Sequence, residues 1–396
     1  MSKSVMRKQE IRERPWAGRL APPIVMMGVP FDQVSVEQTL GIVREMIEEG
    51  RPHLLATANV DFLAQVQEDE GLRRILVDAD LVVCDGTPLV WMSRLLGDAL
   101  PERVAGSDLV PLLLDLAAGQ GYRVYFLGGR DEVLGTALEK VRERWPALEV
   151  AGRYSPPFAP LEEMDHADIC RRIREARADI LFVSFGCPKQ EKWLARNYRE
   201  AGVPVAVGVG ATIDFLAGAV KRAPVWMRKT GLEWVYRVMQ EPKRLAGRYW
   251  KDIRVVGPGL VRQFLTMRPR SGVVSVVAGG DEGEKGGKGM TVLVLPERLD
   301  ALAAWDGGLW AEAEAGVGST LIADATATVF VDSTGTGRLI RFARMARERG
   351  GAFILAGPTV ELLKTLDLMK LRGFFTIAAD VESAVVLAEK MNLGRA

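Results

Sequence analysis

From Pro23 to Val220 short apolar runs alternate with longer stretches whose apolar residues recur every third or fourth position. The run HLLATA precedes the helical pattern FLAQVQEDEGLRRILVDA, LVVCD precedes a helix from Pro88, and YRVYFLGG precedes a helix from Val133 to Arg144. LEVAGRY is followed by a helix ending near Arg177, DILFVSFG by KQEKWLARNYREA, and VPVAVGVG closes the series. Strands and helices trading places at this rhythm predict an α/β domain over residues 23–220, with a Rossmann-like, mostly parallel sheet covered by helices on both faces. In such sheets ligands bind at the carboxyl ends of the strands.

Past Val220 the pattern changes. Residues 221–270 carry thirteen Lys and Arg against three Glu and Asp, a balance of about +10, interleaved with Trp226, Met227, Trp234, Tyr236, Met239, Tyr249 and Trp250. Such a composition suits an interfacial membrane element, and it equally suits a helical subdomain whose aromatics lie on the sheet. Residues 271–289 are rich in Gly and charge, lack a helical or strand period in their second half and read as a flexible linker. From 290 to 396, TVLVLP, TLIADA, TVFVDSTG, a long helix from Thr336 to Arg349, AFILAGP, a helix through Lys370, FFTIAAD and a last helix from Glu382 predict a second, smaller α/β domain. Residues 1–22 read as an N-terminal tail.

Composition narrows the function classes. The 396 residues are 48% apolar and 26% charged with a formal net charge of +1, so any electrostatic role is local and no nucleic-acid partner is expected. Cys84, Cys170 and Cys187 stand apart with no C-x-x-C pair, as expected of reduced thiols in a cytoplasmic protein. His53 and His166 are the only histidines, too few for a His-rich metal site, and no apolar stretch is long enough to cross a membrane.

Four stretches put polar groups where a buried sheet would not want them. TANVD holds Thr57, Asn59 and Asp61; LVVCDGTP ends its apolar run on Asp85; FGCPKQEKW places Gly186, Pro188, Gln190 and Glu191 between a strand and a helix; GVGATIDF offers Gly208, Gly210 and Asp214. All fall at predicted strand carboxyl ends, where one ligand could meet all of them. Each taken singly is also explained locally: Asn59 as a turn former, Asp85 and Gln190 near helix caps, the glycines in tight turns. Neither a complete G-x-G-x-x-G nor a phosphate-loop motif is present, which disfavours an NAD-dependent oxidoreductase and an ATPase.

The series TANVDF, DADLVVCDGTPLV, ERVAGSDL, VYFLGGR, SFGCPKQEKW, GVGATIDFLAG and KRAPVWMRKTGLEWVYRVMQEPKRLAGRY resembles, in order and spacing, the WecG/TagA/CpsF family of bacterial glycosyltransferases over roughly Ile24 to Tyr249. The resemblance implies inverting transfer of a sugar, often N-acetylmannosaminyl, from a UDP-sugar to a polyprenyl-diphosphate-linked saccharide at the cytoplasmic membrane face. It implies Asp85 as general base, Thr57 and Asn59 around donor and acceptor, and Gly186, Pro188, Gln190 and Glu191 at the nucleotide. The basic appendage would then touch the membrane and complete the active site, with Arg237, Arg244 and Arg248 as forks for the diphosphate. No cofactor is expected, since the UDP-sugar is a substrate and no Asp-x-Asp pair lies in a suitable loop to call for a metal. Two departures from the family bear on donor and acceptor: Gly247-Arg248-Tyr249 replaces a usual pair of arginines, and Arg153 to Pro157 replaces a His-Gly-Tyr.

The second domain resembles a STAS domain from about Met290 to Lys390, on VFVDSTGTGRLI, RERGGAFILAGP and LMKLRGFFTIAADVESAV. The resemblance implies a regulatory or partner-binding module and Ser333 as a site for a partner kinase; alternatively Ser333 or Thr334 caps the helix. The expectation is thus a peripheral glycosyltransferase of cell-surface polysaccharide assembly with a regulatory STAS domain. The competing expectation is a nucleotide-sugar sensor that reports through that domain.

Overall fold

The first two strands form a short hairpin. Ile24–Met26 (β1) and Val29–Phe31 (β2) pair antiparallel, and the turn between them places both Met27 and Gly28 at positive φ. This is a computed structural model describing residues 16, 20–96, 99–220, 222–267, 290–300 and 320–393. It resolves into two units, one built on Pro23–Arg268 and the other on the chain beyond. The linker read at 271–289 lies outside the described residues, as does nearly all of the tail read at 1–22.

In the first unit Val36–Glu49 (α1) leads to His53–Ala58 (β3), Val60–Gln65 (α2), Glu70–Asp78 (α3), Leu81–Cys84 (β4), Thr87–Leu95 (α4), Gly106–Gln120 (α5) and Arg123–Gly128 (β5). Asp131–Arg144 (α6), Glu149–Tyr154 (β6), His166–Ala176 (α7), Ile180–Ser184 (β7), Lys189–Ala201 (α8), Val205–Gly208 (β8) and Thr212–Ala217 (α9) complete the alternation. The six strands β3 to β8 form one parallel sheet in the order β4-β3-β8-β7-β5-β6. The fold class is thus α/β with a parallel sheet. β7 and β8 are apolar almost throughout because helices cover both faces of a central parallel strand.

Local signals set the helix ends. Ser35 and Gln38 form a capping box at the start of α1, and Gly50 in the left-handed region ends it. The pattern FLAQVQEDEGLRRILVDA, read as one helix, is two: Asp69 accepts the N–H of Leu72 at 2.9 Å and starts α3 after a break. The helix read from Pro88 likewise stops at Leu96, and α5 begins separately with Gly106.

Aspartates close the amino edge of the sheet. Asp80 Oδ2 accepts the N–H of Leu54 at 2.6 Å, and Asp179 Oδ2 accepts that of Arg123 at 2.7 Å, so N–H groups at the starts of β3 and β5 find side-chain partners. Asp32 does the same from the hairpin, accepting the N–H of Val82 at 2.7 Å.

The basic segment is helical: Val225–Lys229 (α10), Glu233–Gln240 (α11) and Pro242–Met267 (α12). Leu245, Val256, Leu260 and Met267 form the buried stripe of α12, while Trp250, Ile253, Val261 and Leu265 are exposed on it, as are Trp226 and Met239 on α10 and α11. Gln263 fastens α12 to the hairpin, accepting the N–H of Met27 and donating to the carbonyl of Val25, at 2.8 and 2.7 Å. No helix among the described residues is long and apolar enough to cross a membrane.

In the second unit Met290–Val294 (β9), Thr320–Asp324 (β11), Phe353–Ala356 (β13) and Thr376–Ala378 (β14) make a parallel sheet in the order β14-β13-β11-β9, and Arg298–Leu299 (β10) pairs with Phe330–Val331 (β12). Its helices are Ser333–Glu348 (α13), Val360–Leu368 (α14) and Val381–Leu393 (α15). The helix read from Thr336 starts three residues earlier because Asp332, rather than Ser333 or Thr334, is the cap, accepting the N–H of Gly335 at 2.8 Å. Ser333 is only 1% exposed, so phosphorylation there requires the turn to open.

Replacing Asp80 by Ala leaves the Leu54 N–H without its acceptor, and the variant is expected to lose about 1–3 kcal/mol of stability, read as a lower denaturation midpoint with the slope unchanged.

Candidate active site

The carboxyl ends of β3, β4, β7 and β8 open onto one cleft of about 450 Å³ in the first unit, walled on its far side by α11 and α12. Thr57 and Asn59 enter it from β3. Asn59 caps α2, its Oδ1 accepting the N–H groups of Asp61 and Phe62 at 3.0 and 3.4 Å, and the Thr57 hydroxyl donates to the carbonyl of Gly208 at 3.5 Å. Gly106, the first residue of α5, lies close enough that an added Cβ would stand 3.2 Å from Thr57 Oγ1.

Asp85 follows β4 directly, its N–H donating to the carbonyl of Ala58 at 2.8 Å. One carboxylate oxygen accepts the N–H of Gly106 at 3.2 Å and the group opens on the cleft. Burial pushes its pKa up to about 6, against the opposing pull of the Arg103 charge and that hydrogen bond. The carboxyl is therefore ionised at neutral pH yet poorly solvated.

Arg103, within the ERVAGSDL stretch but not among the expected site residues, organises this side of the cleft. It pairs with Asp108 at 2.6 Å and with Glu233 at 2.9 Å. Asp108 also takes Arg222 at 2.8 Å and Arg228 at 3.2 Å, so one network ties α10 and α11 to the start of α5. Arg237, one turn beyond Glu233, lines the cleft and lies over the ring of Phe215, and no carboxylate stands within ion-pair distance of it among the described residues.

The opposite wall carries a second carboxylate group. Asp61 pairs with Arg248 at 2.8 Å and accepts from Gln65 Nε2 at 2.6 Å. Asp252, one turn along α12 from Arg248, is buried, and that burial together with the adjacent Asp61 pushes its pKa up to about 7. Arg248 thus faces the cleft already holding a carboxylate.

Gln190 clips two loops together. Its Oε1 accepts the N–H of Gly186, after β7, and that of Gly210, after β8, each at 3.2 Å, and its Nε2 donates to Glu191 Oε1 at 2.8 Å. A Cβ on Gly208 would meet Gln190 Nε2 at 2.7 Å and Glu191 Oε1 at 3.0 Å, which is why β8 ends in glycine.

Of the residues expected from sequence, Thr57, Asn59, Asp85, Gly186, Gln190, Gly208, Gly210, Arg237 and Arg248 line this cleft. Pro188, Glu191 and Asp214 do not: Pro188 sits at the start of α8, Glu191 is buried behind Gln190, and Asp214 lies on α9. The Arg244 side chain lies outside the described residues. Sequence reading passed over Arg103, Glu233, Trp234, Tyr249 and Asp252, which also line the cleft. The mixture of charge and aromatics after Val220 pointed to the segment that holds the last four, without marking them as site residues.

A parallel α/β sheet with a polar cleft across its strand ends and helices closing over it defines a ligand-binding enzyme scaffold. Residues 24–270 match the Glycosyl transferase WecG/TagA/CpsF family and residues 290–384 match the STAS domain, and the chain belongs to that transferase family. A protein of Bacillus spizizenii (strain ATCC 23059 / NRRL B-14472 / W23) is 32% identical over 198 residues, 50% of this chain and 75% of the relative. One of Staphylococcus aureus (strain MW2) is 28% identical over 222 residues, 56% and 85% of the two chains, and one of Bacillus subtilis (strain 168) is 32% identical over 192 residues, 48% and 73%. All three carry the name N-acetylglucosaminyldiphosphoundecaprenol N-acetyl-beta-D-mannosaminyltransferase.

Gly208→Ala forces the Gln190–Glu191 pair off β8. The variant is expected to lose about 1–3 kcal/mol, as over-packed sites do, with the displaced Gln190 visible in its crystal structure.

Proposed function

We propose that the chain is an inverting glycosyltransferase that moves a hexosyl group, N-acetylmannosaminyl or closely related, from a UDP-sugar to a saccharide carried on a polyprenyl diphosphate. The names of the relatives support the sugar and the acceptor class. The observation that carries the reading is Asp85, a half-buried carboxylate with its pKa raised to about 6 that opens on a cleft also lined by Arg237.

The chemistry follows from these groups. Asp85 accepts the proton of the acceptor hydroxyl as its oxygen bonds to the anomeric carbon, and the bond from that carbon to the UDP oxygen breaks with its electron pair. Arg237 meets the negative charge that develops on the diphosphate, helped by the N-termini of α5 and α9. Arg248 reaches a phosphate only by leaving Asp61. Thr57, Asn59, Gly186, Gln190, Gly208 and Gly210 form the wall against which donor and acceptor lie.

Residues 23–220 serve as the catalytic domain and 221–270 as an appendage that completes the site and meets the inner face of the cell membrane, a role supported by its positive charge and by the exposed Trp226, Met239 and Trp250. Residues 271–289 join it to a regulatory, partner-binding domain at 290–396. No observation favours the nucleotide-sugar sensor.

Asp85→Asn should lower turnover by about 10²–10⁴-fold with unchanged thermal stability, measured with purified protein, a panel of UDP-sugars and a short-chain polyprenyl-diphosphate-GlcNAc acceptor, with and without EDTA. Near wild-type turnover would remove Asp85 as the base. The wild-type kcat/KM should rise as pH climbs through about 6, because the base works only when its raised carboxyl has lost its proton. A profile flat from pH 5 to pH 7, a span of roughly one unit either side of that value, would contradict the assignment.

A further inference from the structure

Gln190 can turn its amide two ways, and only one of them suits its surroundings. The N–H groups of Gly186 and Gly210 both point at it from 3.2 Å, so an oxygen must face them, and the NH₂ then faces Glu191. Turned over, the amide would set donors against donors and lose every one of these bonds. Glu191 is 5% exposed, does not line the cleft, and meets Gln190 Nε2 at 2.8 Å.

We propose that Glu191 is a positioning residue that acts through Gln190: its carboxyl oxygen fixes the amide so that Gln190 locks the loop after β7 to the loop after β8, and the joined loops form the nucleotide-facing wall of the cleft. Gly208 belongs to the same device, since any side chain there would occupy the space of the pair. The carboxyl works in either protonation state. Burial raises the pKa of Glu191 to about 7, and protonation of the other oxygen, Oε2, leaves Oε1 able to accept from Gln190. What the position requires is an acceptor, not a charge.

The inference deepens the transferase reading and rests on it for the identity of the ligand, so its test has a readout that needs no ligand. Hydrogen exchange is followed in the full-length protein at Gly186 and Gly210, beside donor KM and kcat. Glu191→Leu should speed exchange at both glycines and raise the donor KM roughly tenfold, the factor matching a lost buried hydrogen bond of about 1.4 kcal/mol, with a much smaller change in kcat. Glu191→Gln keeps an acceptor and should recover most of both properties.

A charge swap covers the case in which the leucine variant fails to fold. Gln190→Glu alone sets two carboxyls against each other, and adding Glu191→Gln restores a donor facing an acceptor, so the double variant should outperform the single one in exchange protection and in KM. Unchanged exchange in Glu191→Leu, equal damage from Gln and Leu, or no rescue in the swap would each overturn the role of Glu191. Wild-type protein that transfers no sugar would instead count against the transferase reading, and the exchange data would still decide this one.

Discussion

The guanidinium of Arg103 is the point on which the cleft depends. It stands between Asp108 at the start of α5 and Glu233 on α11, and its charge also acts on Asp85. A half-buried cation held by two carboxylates is costly to leave half-paired, so the three elements that supply these groups are bound to one arrangement. With α11 fixed in this way, Arg237 and Trp234 line the cleft. The positive charge also tempers the effect of burial on Asp85: without it the carboxyl would hold its proton to higher pH and a smaller fraction of it would be ionised at neutrality.

The same residue type does opposite work at the two edges of the sheet. At the amino edge Asp80 and Asp179 accept strand N–H groups at 2.6 and 2.7 Å, and their carboxylates are used up by structure. At the carboxyl edge Asp85 has one long hydrogen bond, 3.2 Å from Gly106, and faces the cleft. A carboxylate satisfied by the backbone is stabilised and chemically idle, whereas one left under-solvated retains affinity for a proton and can take it from a substrate.

Much of this was legible in the sequence, for a definite reason. Parallel strands announce themselves as apolar runs, and the residue at which a run breaks lies at the edge where ligands bind, so Asn59, Asp85, Gln190 and Gly208 could be picked out by position alone. Arg103 could not, because it sits in an irregular segment where no periodicity marks which way a side chain points. The family resemblance implied Glu191 at the nucleotide beside Gln190, but successive residues on a helix diverge by about 100°, and Glu191 turns inward. The split of α2 from α3 hid inside a continuous apolar pattern, since the capping of Asp69 onto Leu72 is a local competition that the pattern does not register.

Helix α12 has two faces with different owners. Arg248, Tyr249 and Asp252 belong to the cleft, while Trp250, Val261 and Leu265 of the same helix lie bare on the other side. Because one helix carries both sets, the free energy gained by covering the outer face and the free energy of filling the cleft are linked terms of a single cycle, and reciprocity is then required. Whatever factor the covering surface contributes to the affinity of the cleft, an occupied cleft returns to the affinity for that surface.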